Sequence, residues 1–160
     1  MNTQLAVRTP SQLAVRGNID NLEHKLKAEI EEGRMEQTIV DCKKDNSQAK
    51  HYFGEGVYAR SLLIPAGTAL VGYIHKQDRV CIIAQGKCTF VHEWGRETVE
   101  APYIGEFKAG SKTAVYAHTD TLWVACLGTN LKDPDQIVDA LLESGHEEYQ
   151  AFLEHVEDNT

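Results

Sequence analysis

Between residues 37 and 128 the apolar residues fall into short period-two runs, and turn residues separate them at nearly even intervals. The runs cover 38–42, 57–64, 69–74, 80–84, 87–94, 98–101, 103–108, 113–118 and 121–127. The breaks carry Pro65-Ala66-Gly67, Gln85-Gly86, Trp94-Gly95, Ala109-Gly110 and His118-Thr119-Asp120. Alternation sends successive side chains to opposite faces, so each run can bury one face only. Many such strands with short connections predict an antiparallel β-barrel or sandwich, a mostly β chain with helices at its ends.

The chain has 160 residues, enough for one domain with appendages. The organisation we read is an extended arm at 1–17, an amphipathic helix at 18–34, the barrel at 35–130 and a helical segment at 131–160. In the arm, Gln4-Leu5-Ala6-Val7-Arg8 recurs as Gln12-Leu13-Ala14-Val15-Arg16, and each copy can alternate as a short strand. Pro10 argues against one helix through both copies. Asn18 or Asp20 can cap the following helix and Gly33 can end it. Its narrow stripe of Ile19, Leu22, Leu26 and Ile30 has helical spacing. Leu5, Val7, Leu13 and Val15 join that stripe as candidate interface residues, which predicts a homo-oligomer or a larger assembly. At the other end Asp133 is a candidate N-cap with Pro134 at the first helical position. Gly145 is the expected stop, and Tyr149, Phe152, Leu153 and Val156 form a second amphipathic face.

Charge narrows the function classes. The formal net charge is −8, with no basic stripe, so nucleic acid and anionic membranes are poor partners. No apolar run approaches the ~18 residues that cross a bilayer, and residues 1–17 lack the apolar core of a secretion signal. Cytoplasmic synthesis is the expectation. Cys42, Cys81, Cys88 and Cys126 form no CxxC pair and read as free thiols. No nucleophile elbow or phosphate loop occurs.

Within the strand region, Gly67, Tyr73, His75, Arg79 and Gly86 keep a spacing that resembles the first motif of the cupin superfamily, in which Gly, His-x-His, Glu and Gly follow one another. Gly67, His75 and Gly86 match in register. Tyr73 stands in the place of the first His and Arg79 in that of the Glu. At the places of the second motif stand Pro102, Lys108, Gly110, Thr113 and Ala117, of which only Gly110 agrees. The wording over 52–127 is also similar to small cupin-like proteins of tailed bacteriophages. The resemblance implies a cupin-type barrel whose motif residues point inward.

In the family those inward residues hold a catalytic metal. Here the same places would aim Tyr73, His75, Arg79 and Thr113 into the barrel, and a fixed positive charge would sit where the cation belongs. No metal and no other cofactor is therefore expected. His92 lies outside the motif, and His118 lies five residues past Thr113, on the opposite face by simple alternation unless a bulge reverses it. The reading that follows is a non-catalytic, metal-free binding or assembly module, with a phage virion or accessory complex as its setting. The alternative is a barrel cavity that takes a small anionic ligand, either to sequester it or to isomerise it by His/Tyr acid–base chemistry.

Overall fold

The computed structural model describes residues 9–34 and 48–143. Eleven strands and two helices follow one another in this range. Helix α1 is Pro10–Glu31. The strands are β1 Ala49–Gly54, β2 Val57–Ile64, β3 Ala69–Val71, β4 Ile74–His75, β5 Arg79–Gln85, β6 Lys87–His92, β7 Gly95–Glu100, β8 Tyr103–Phe107, β9 Ala114–Ala117 and β10 Thr121–Gly128. Helix α2, Pro134–Leu141, runs into β11, Leu142–Glu143.

Two antiparallel sheets face each other. One has the order β1-β2-β10-β5-β8 and the other β3-β9-β6-β7, with a small β11-β4 pair at the side. The order requires crossovers between the sheets, the winding of a cupin-type double sheet. Period two decides what lies between them. In β10, Thr121, Trp123, Ala125 and Leu127 are buried while the residues between them are half-buried. In β6, Cys88 and Phe90 face inward from the opposite sheet. The main core joins Leu62, Ile64, Ile83, Phe90, Phe107 and Trp123. Phe90 packs on Phe107 at 5.2 Å and on Trp123 at 5.7 Å between ring centroids. Burying one such ring stabilises by about 1.5–3 kcal/mol. A smaller cluster of Tyr58, Leu127 and Ile137 seats α2 against the ends of β2 and β10.

Gly86 explains why the β5–β6 turn is so sharp. Its φ is +84°, and a Cβ there would lie 2.2 Å from the Asp120 carbonyl oxygen. Only glycine combines this backbone conformation with so close a neighbour.

The strand expectations hold closely from β2 onward. Strand β1 was absent from them, and the run 38–42 lies outside the described residues, as do Leu5, Val7, Gly145 and the 149–156 face. The helix boundaries need correction. The arm is not extended up to residue 17, because α1 already begins at Pro10 and takes in the second repeat copy. Thr9, rather than Asn18 or Asp20, is the N-cap. Its hydroxyl accepts from the Gln12 amide while the Gln12 side chain accepts from the Thr9 amide. This reciprocal capping box is why proline serves as the first helical residue instead of a break. At the other end Gly33 follows the helix with φ +71°, as expected. Helix α2 stops at Leu141, before Gly145, because Leu142 turns extended and pairs with His75.

Candidate functional site

Four positions singled out by the sequence, Tyr73, His75, Arg79 and Thr113, line one cavity of about 70 Å³. The connection before β4 brings Tyr73 to its mouth, where the ring is 37% exposed. Strand β4 carries His75 and β5 opens with Arg79, both nearly fully buried. The segment before β9 supplies Thr113 from the other sheet. The remaining wall is apolar, with Leu70, Val115 and Trp123 in it.

Sequence reasoning missed Arg60. The inward positions of β2 are Tyr58, Arg60, Leu62 and Ile64, so a charged residue sits in register with apolar core positions and enters the same cavity. That register was the available signal.

The cavity wall itself carries only positive charge, while Glu93, outside that wall, acts on Arg79 through space. Arg79 donates from Nη1 to Ser111 Oγ at 3.0 Å and from Nη2 to Thr113 Oγ1 at 3.3 Å. Its guanidinium carbon lies 5.1 Å from the Phe107 ring centroid. These groups orient the fork but none carries a negative charge. Among the described residues neither Arg79 nor Arg60 has an ion-pair partner, and no Asp or Glu lines the cavity. Burial lowers the Arg79 pKa from its ordinary value, yet arginine keeps its proton in proteins. Burial, then the charges of Arg79 and Arg60, push His75 well below the usual histidine range, so its ring is neutral at neutral pH. His75 Nδ1 is buried with no hydrogen-bond partner among the described residues.

These donors do not suit a metal ion. His75 offers one imidazole, the carboxylate position is a guanidinium that can only donate, and the nearby hydroxyls already accept from it. Among the described residues no group of three or more His, Cys, Asp or Glu side chains gathers in metal-binding proximity. His118 points away, its Nε2 being 2.7 Å from Thr89 Oγ1 on the outer side of β6 and β9. His92 is wedged between Phe90 and Phe107, and its Nδ1 accepts from the Trp94 amide. Neither one rebuilds a ligand set with His75.

The interface candidates divide. Ile19 is 3% exposed and packs under α1 against its own barrel. Val15, Leu26 and Ile30 are half-buried, whereas Leu13 and Leu22 are exposed. Sequence reasoning also missed Glu93 and Lys112, which together with Arg16 are charged and buried where α1 meets the barrel. Cys81, Cys88 and Cys126 are free thiols, and burial pushes Cys88 up to about 11. Among the described residues no helix is long and apolar enough to cross a membrane.

No protein-family profile matches the chain, and no curated protein sequence does. Solved structures do resemble it. Ectoine synthase from P. lautus superposes with a TM-score of 0.50 at 13% identity, covering 69% of this chain and 88% of that one. A cupin 2 domain-containing protein from Halorhodospira halophila gives 0.46 at 8% identity, over 60% of this chain and 73% of that one. The cupin domain of Schizosaccharomyces pombe Cnp3 gives 0.45 at 15% identity, over 57% and 74%. At 13% identity the likeness to ectoine synthase concerns the fold alone, the double sheet built above.

Proposed function

We propose that this chain is a metal-independent cupin-type module that binds a small oxyanion inside its barrel. One observation carries the reading: two guanidinium groups, Arg60 and Arg79, which have no ion-pair partner among the described residues, line a cavity whose described wall holds no carboxylate. Arg79 is buried and Arg60 half-buried, and taking a cation out of water is costly unless something compensates it. A carboxylate, sulfate or phosphate of suitable size would supply that compensation. A guanidinium fork presents parallel donors to such a group, and the unpartnered His75 Nδ1 and the Tyr73 hydroxyl can orient it. Size sets the class. The cavity is about 70 Å³. One water needs roughly 10–15 Å³ of such space, and drug-sized ligand pockets run to ~300–1,000 Å³. Sugars and nucleotides are therefore too large to be enclosed.

The test is a thermal-shift panel of sulfate, phosphate, acetate and pyruvate, with chloride at equal ionic strength and adenosine monophosphate and glucose as oversized controls. One small oxyanion at a hundredfold excess over its Kd should stabilise the protein by about 2.7 kcal/mol. Equal responses to chloride and to every oxyanion would refute the reading.

The exposure of Leu13 and Leu22 on α1 favours a second reading, that the chain is also an assembly module in a phage virion or accessory complex. Deletion of the first eight residues combined with Leu13→Ser and Leu22→Ser should then lower the mass measured by light scattering. An unchanged mass would remove this reading.

A further inference from the structure

We infer that α1 is a clamp for the anion site: its docked position holds residues 110–113, and those residues aim Arg79. The inference rests on the oxyanion reading above and adds a positioning role for side chains that never reach the cavity.

Consecutive residues of this short segment serve the two sides in turn. Ser111 and Thr113 accept from Arg79 within the barrel. Lys112, between them, faces α1, with Nζ 2.9 Å from Asp20 Oδ1 and 2.5 Å from Glu23 Oε2. The Lys112 amide donates to Glu93 Oε2 at 3.2 Å. Glu93 pairs with Arg16 of α1, and Arg16 also donates to the Gly110 carbonyl. On the cavity side the Gly110 amide donates to the His75 carbonyl at 2.7 Å, and the Thr113 carbonyl accepts from the Gly72 amide at 3.0 Å. The segment is thus held by α1 on one side and by the cavity wall on the other.

The docking is electrostatic more than apolar. Ile19 is the one fully buried apolar residue of α1, whereas Arg16, Glu93 and Lys112 are each less than 5% exposed. Burial pulls the Lys112 pKa down, but Glu23 and Asp20 more than offset it, so the ammonium is favoured. Buried charges of this kind are satisfied only by their own partners. If α1 leaves, the bonds from Arg16 to Gly110 and Glu93 and from Lys112 to Asp20 and Glu23 go with it, and Ser111 and Thr113 are then held from the cavity side alone. The two hydroxyls that fix the Arg79 fork are then less firmly placed.

The test uses the full chain with Asp20→Asn and Glu23→Gln combined, a change confined to the helix face remote from the cavity. Binding of sulfate and acetate is titrated calorimetrically, and amide hydrogen exchange is followed at 110–113. Glu31→Gln, exposed on the last turn of α1, controls for lost charge. The double variant should bind about tenfold more weakly, in the usual range of coupling between sites, and exchange faster at 110–113. The control should match the wild type. Unchanged affinity in the double variant overturns the inference. If the double variant fails to fold, Asp20→Leu, Glu23→Leu and Lys112→Met together replace the charges with apolar contact. Wild-type affinity in that triple variant supports the clamp, and lost binding with α1 still protected overturns it. Should the wild type bind no oxyanion, the oxyanion reading is what fails, and exchange at 110–113 alone then decides whether α1 holds the segment.

Discussion

The two halves of the barrel interior are built on opposite terms. Around Phe90, Phe107, Ile83 and Trp123 the space is filled with interlocking apolar side chains. A few ångströms away, Arg60, His75 and Arg79 surround a space that is not filled. Phe107 belongs to both, since one ring packs on Phe90 and also lies against the Arg79 guanidinium. Close packing of apolar groups contributes stability in proportion to the area removed from water, whereas buried unpaired cations contribute little or cost. On the oxyanion reading proposed above, the first half carries the fold and the second the binding, a division familiar where sites are held at some expense of stability.

The largest expected effect comes from the filled half. Phe90→Ala should lower unfolding stability by about 3–5 kcal/mol, measured by urea denaturation, because its neighbours from both sheets cannot all collapse into the gap. A loss smaller than that of Arg79→Met would break the comparison.

The next effect belongs to the open half and depends on pH. His75 has a folded-state pKa well below its unfolded value. Its contribution is fully present above the unfolded pKa and is lost as pH falls below that value toward the folded one, because the unfolded chain takes up the proton first. Melting temperature should therefore drop from pH 7.5 to pH 5, and His75→Gln should flatten that dependence. An identical slope in the variant would mean that His75 is not held neutral by its surroundings.

Much of the filled half was legible in the sequence and much of the open half was only half legible. Gly67, Gly86 and Gly110 mark turns whose positive φ admits little else, so strand positions follow from local residues. The spacing from Gly67 through His75 to Gly86 likewise places Tyr73, His75 and Arg79. Arg60 stayed hidden because a single Arg inside a strand reads as an outward residue until the register of β2 is known. Lys112 was hidden more deeply: its partners Asp20 and Glu23 are 92 and 89 residues away in the chain, and nothing local marks a lysine for burial. The start of α1 is masked in the sequence by the repeat, whose Gln-Leu-Ala-Val-Arg copies alternate like short strands although Thr9 and Gln12 form a capping pair.

The smallest stability effect accompanies the most direct test. Arg79→Met removes a buried cation and keeps an unbranched apolar side chain against Phe107, so unfolding stability should stay within about 1 kcal/mol of the wild type. In the same preparation, calorimetric titration with the oxyanion that gives the largest thermal shift should show one site per chain in the wild type and none in Arg79→Met. Retained binding in the variant, at wild-type affinity and stoichiometry, would contradict the claim that Arg79 makes this barrel an anion site.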